Sequence, residues 1–151
     1  MPKYLIIAGS LILLTLGLIH LLYTFFTNKF LTHNPETAEN MKRDFPLITK
    51  ETTMWKAWIG FNASHSLGAI FFGTINIYLA VNYFSIIQHD FFFSVFNLFT
   101  VGFYLWLSKK YWFRVPFIGI LLTTFCFVLV LVLKLSNPEI EFYNTTIQSI
   151  G

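Results

Sequence analysis

The chain has 151 residues, of which 56% are hydrophobic, 20% aromatic and only 11% charged, with a mean hydropathy of +0.64; this excludes an ordinary soluble globular domain and points to lipid as the main solvent. A net charge of +3 and a pI near 9.0 fit the orientation signals of a membrane protein, so nucleic acid is set aside as a partner. The single Cys126 excludes an internal disulfide and every multi-cysteine metal or redox motif, and in an aliphatic stretch it reads as core packing.

Tyr4 to Phe26 runs for 23 residues without a formal charge, enough to span a hydrocarbon core of about 30 Å at about 1.5 Å per residue. A signal peptide would have a shorter apolar run and a small-residue cleavage site, whereas Tyr23-Thr24-Phe25-Phe26 follows here. Further spans are expected at about Trp58–Phe84, Phe91–Ser108 and Pro116–Leu135. The expected fold is therefore an all-α integral membrane protein, a single four-transmembrane-helix bundle with antiparallel neighbours, followed by a short polar tail. Within the connection Thr27–Met54, Asn34 is placed to cap a helix that has Pro35 at its first position and ends near Pro46. Such a helix would lie on the membrane surface with Lys42 and Arg43 near lipid phosphates; a solvated loop is the alternative.

Eight Lys and Arg residues fall in the first and third connections, and only Lys3 and Lys134 on the other side. This asymmetry places the basic connections in the cytoplasm and both termini outside a cell membrane. Asn144-Thr145-Thr146 in the tail matches a glycosylation sequon and is given no functional weight.

Every Asp and Glu lies in a connection or the tail, which counts against a transporter coupled to protons or cations. The imidazoles expected at membrane depth are His20 and His65, each about 9 to 11 Å from the same interface by helical rise. The same count puts Thr100 and Thr123 in or near that layer. On the first helix Gly17, His20, Thr24 and Thr27 form one stripe; on the second, Trp58, Asn62, His65, Ala69, Phe72 and Asn76 form another. Gly17 and Ala69 would leave room beside the imidazoles. Gly60-x-x-x-Ser64-x-x-x-Gly68, beside Ala69-x-x-x-Gly73, has the spacing that lets membrane helices approach closely.

Two roles stand open for the buried polar residues. Asn76, Asn82 and Asn97 read as interhelical hydrogen-bond glue, at roughly 0.6 to 2 kcal/mol each. His20 and His65, with Asn62, Ser66 and Thr24 around them, read either as such glue or as a site, since a neutral imidazole both ligates metals and transfers protons. Three ligand chemistries are considered: a b-type haem between the imidazoles with Phe61, Phe71, Phe72, Phe96 and Phe99 as walls, a metal ion whose coordination shell this layer would not complete, and a lipid, sterol or quinone. No motif of a hydrolase, metalloprotease, nucleotide-driven or disulfide-exchange enzyme occurs. A small membrane subunit packing against a like chain or a larger partner is the non-enzymatic alternative.

Gly17-x-x-His20 in "GLIHLLYT" and Phe61-Asn62-x-Ser64-His65 in "FNASHSLG" resemble an uncharacterised family of small bacterial four-helix membrane proteins, over roughly Tyr4 to Leu135. The resemblance implies that His20, Asn62, Ser64 and His65 are the positions of interest, and carries over no activity. DoxX-like and emopamil-binding-like proteins are similar in size and span count, but the acidic pairs that would support either are not found.

Overall fold

The computed structural model describes residues 1–136; Glu139, Glu141 and the Asn144 sequon lie outside the described residues. The described chain folds as α1 (Pro2–Phe26), α2 (Pro35–Arg43), α3 (Met54–Asn82), α4 (Phe84–Ile87), α5 (Phe91–Tyr111) and α6 (Arg114–Leu135), with no strand among the described residues. Four of these, α1, α3, α5 and α6, are long and apolar enough to cross a membrane. The second span begins at Met54, ahead of the expected Trp58, and stops at Asn82, so that Phe84 opens the separate short turn α4. The third continues past Ser108 to Tyr111, taking Lys109 and Lys110 into its last turn, where cations oppose the negative end of the helix dipole. Its other end is capped by Asp90, whose carboxylate accepts from Phe93 N at 3.0 Å. The last span starts at Arg114, with Pro116 in its first turn, where a missing N–H costs nothing.

The chain forms two compact units, one of Met1–Leu14 with the chain from Phe72 onward, the other of Thr15–Phe71. In the first, α5 and α6 pack along one another, and Ile6, Leu13, Phe72, Ala80, Val101, Ile120, Phe127 and Val130 are buried together with Ser10, Asn76, Asn97, Ser108 and Thr123. Large side chains such as Phe92, Phe96, Phe99 and Phe125 are exposed instead. This distribution inverts that of a soluble core, with small polar groups inside and aromatic bulk outside.

Among the described residues, Asn76, Asn82 and Asn97 make no interhelical hydrogen bond. Asn76, Asn82 and Asn97 each donate Nδ2–H to the carbonyl four residues back in their own helix, Phe72, Tyr78 and Phe93, at 2.9 to 3.0 Å, the local bond that such side chains prefer when no donor or acceptor faces them. Threonines make the bridges: Thr123 Oγ1 donates to Gly9 O at 3.2 Å, and Thr124 Oγ1 lies 3.4 Å from Val101 O. Thr100 bonds to Phe96 O in its own helix.

Ser10 Oγ and Asn76 Oδ1 are buried without a hydrogen-bond partner among the described residues. A buried hydroxyl left unpaired costs about 1 to 3 kcal/mol, and Ser10→Ala removes it while leaving the fit unchanged. We expect this variant to unfold at or above the wild-type temperature in detergent, where a serine bonded in the native state would show a loss.

In the second unit, Asn34 Oδ1 accepts from Glu36 N at 2.9 Å and Pro35 opens α2 as expected from the sequence. The helix ends at Arg43, before Pro46. Ala38 and Met41 are half-buried, while Phe45 is exposed beyond the helix end. Lys42 Nζ donates to Glu39 Oε1 at 2.7 Å and holds that carboxyl below the usual carboxylate range. The pair is exposed and contributes little to stability.

Candidate functional site

The closing half of α1 and the opening half of α3 meet at Gly17. A methyl group there would lie 3.0 Å from Ser66 O and from Ile70 Cγ1, and 3.1 Å from Ala69 Cβ, closer than most van der Waals contacts allow. Glycine therefore lets the two backbones approach, and one turn further along α1 the polar residues come within bonding distance. The face of α3 that turns inward carries Asn62, Ser66 and Ala69, spaced i, i+4, i+7. Gly60, Ser64 and Gly68 lie about half a turn round the helix from that face and are exposed; nothing stands within 4 Å of a methyl built on Gly60. Among the described residues the proposed seam through these three is therefore an exposed stripe rather than a buried one. Gly73 in the first unit is the close approach, with its methyl position 2.7 Å from Ser10 O and Leu14 Cβ.

His20 Nε2 and Asn62 Oδ1 are 3.1 Å apart, and Asn62 Nδ2 donates to Trp58 O at 2.8 Å. The second bond decides the first. A carbonyl accepts only from the amide nitrogen, so the Asn62 oxygen must face the imidazole, and that oxygen has no hydrogen to give. His20 is accordingly the donor through Nε2–H, which in the neutral ring leaves Nδ1 as an acceptor. Asn62 is 6% exposed.

The two histidines do come together. Their ring centroids are 5.6 Å apart with an interplanar angle of 81°, edge to face. His65 is also stacked on Phe61 at 6.3 Å. Of the other aromatic walls suggested for a haem, Phe71, Phe96 and Phe99 are exposed and Phe72 packs on Phe127. Thr24 and Ser66 are buried nearby, but their hydroxyls donate to the carbonyls of His20 and Asn62 one turn back, at 2.8 and 2.7 Å. Neither hydroxyl reaches an imidazole, because the helix carbonyl is the nearer acceptor.

It matches no known protein family, no curated protein and no solved structure. The weight of the site therefore rests on its geometry.

Phe30, absent from the sequence reading, and Trp58, named there only as part of the α3 stripe, complete the site. Phe30, just past the end of α1, lays its ring edge-on against His20, with centroids 4.7 Å apart. Trp58 Nε1–H lies 3.4 Å from Phe30 O, and their rings are 6.4 Å apart. On their outer side Lys29, Phe30, Leu31, Thr32, Met41 and Trp58 line an open cavity of about 370 Å³. Periodicity could not find Phe30, which sits outside any helix; the one available signal was the apolar pair Phe30-Leu31 inside a polar connection.

Chemically, the arrangement provides an oriented hydrogen-bond donor and acceptor on one ring, a second imidazole at its edge, and an aromatic surround. No group of three or more His, Cys, Asp or Glu residues suited to a metal ion occurs among the described residues. Haem ligation by both rings would have to take the nitrogen that Asn62 holds, or else Nδ1 with the aromatic packing rearranged. The geometry favours hydrogen bonding over ligation.

Proposed function

We propose that this chain is a multi-pass membrane protein that holds a lipid-soluble ligand at a polar site formed by His20, His65 and Asn62. The observation that carries this reading is the pair of bonds on Asn62, which orients His20 by anchoring the asparagine to Trp58 O. Interhelical hydrogen bonds also serve packing between apolar helices, but packing alone does not call for a second imidazole at the edge of the first. An imidazole with a directed tautomer suits recognition of a polar group, as the few placed polar groups of ligand pockets do. The basic first and third connections lie in the cytoplasm and the termini outside, which puts the cavity at Lys29 and Trp58 on the cytoplasmic side.

Photo-crosslinking in membranes with an alkyl diazirine lipid probe tests this reading. Labelling should concentrate in peptides covering 27–34 and 54–66, and His20→Ala should reduce it about tenfold, the loss of about 1.4 kcal/mol of binding. Labelling spread evenly over the four long helices and unchanged by His20→Ala would contradict the proposal.

A further inference from the structure

The hydrogen-bond inventory of His20 narrows the ligand class. Its ring has three contacts among the described residues: Nε2 with Asn62 Oδ1, and edge contacts with Phe30 and His65. Nε2 is committed as donor, so Nδ1 of the neutral ring is left as an acceptor, and among the described residues no hydrogen bond reaches it. The ring is half-buried, and a neutral donor reaches an acceptor in such a setting without the desolvation cost that a charged donor carries.

Three classes of amphiphile can be separated on this basis. Ionised carboxylates and phosphodiesters have no proton to offer Nδ1. Ammonium amphiphiles can donate, but would enter past Lys29 on the cavity wall and lose energy to that like charge. A neutral hydroxyl on an apolar body donates one hydrogen bond, tolerates Lys29 and suits Phe30, Met41 and Trp58 along the cavity.

We infer that the ligand of this site is a neutral, hydroxyl-bearing amphiphile, an alcohol, sterol or phenol, whose O–H donates to His20 Nδ1, and that Phe30 must swing off the ring to admit it. The inference rests on the proposed function above and specifies the group recognised. Phe30 lies in the connection outside α1 and α3, so its movement need not break a spanning helix.

The experiment compares 1-hexadecanol with its O-methyl ether, similar in shape and apolar but unable to donate, bound to the full chain with ¹⁵N-labelled histidine in nanodiscs. Before ligand is added, His20 should show the Nε2–H tautomer. The alcohol should shift the His20 Nδ1 resonance while leaving Nε2 protonated, and the ether should bind about tenfold more weakly and leave Nδ1 unmoved. Equal binding of the two, with both sensitive to His20→Ala, would overturn the donor assignment while keeping the site. An Nδ1–H tautomer in the free protein would also overturn it. If neither probe binds or moves either histidine, this inference and the proposed function fail together.

Discussion

Gly73→Ala should destabilise the folded protein by about 1 to 3 kcal/mol, the range for overpacking a close contact. The added methyl would sit 2.7 Å from Ser10 O and Leu14 Cβ and 2.9 Å from Leu14 N. Two of those three atoms belong to the backbone of α1 and cannot rotate away, so relief requires the helices to separate. Gly60→Ala is the matched control in the same helix, since nothing lies within 4 Å of its methyl position; it should be neutral or stabilising by up to about 1 kcal/mol through helix propensity. Thermal unfolding of both variants in one detergent checks the pair. Equal losses would mean that the outward stripe of Gly60, Ser64 and Gly68 is packed against something as tightly as Gly73 is.

Asn62→Leu should have the second large effect, and on two readouts. It keeps the branching and heavy-atom count of asparagine but removes the acceptor for His20 Nε2–H. A donor left unpaired inside a helix pair costs about 1 to 2 kcal/mol, at the upper end of measured membrane hydrogen bonds. It also releases the imidazole from its single tautomer, so both nitrogens exchange the proton and recognition weakens. Asn82→Leu is the control: Asn82 is exposed and its amide bonds only to Tyr78 O in its own helix. That variant should unfold within about 0.5 kcal/mol of wild type. A thermal shift for Asn62→Leu no larger than that for Asn82→Leu would show that the His20–Asn62 bond does not hold the helices together.

Much of this architecture was legible in the residues. Long charge-free runs mark the four spans because the bilayer sets their length, and Asn34-Pro35-Glu36 marks α2 because a cap, a fixed φ and a first-turn acid act together. The meeting of His20 and His65 followed from equal distances to one interface along two neighbouring helices. The buried face of α3 was legible in the stripe of Asn62, Ala69, Phe72 and Asn76, all buried, but the exposure of the second small-residue stripe was not. Gly60-Ser64-Gly68 and Asn62-Ser66-Ala69-Gly73 both offer small residues at close spacing, and α3 is apolar almost evenly around its circumference. Hydrophobicity cannot choose between such faces when the surrounding solvent is itself apolar. Phe30 was invisible because a side chain reached from an irregular connection has no periodicity to betray it.

The most direct test of the proposed site is mass spectrometry of the small molecules that co-purify with the wild-type chain, His20→Ala and His65→Ala from one membrane preparation, with thermal unfolding run alongside. The account predicts a neutral amphiphile retained by the wild type and lost from both variants while each remains folded. The same co-purified molecules in equal amounts from all three would contradict it.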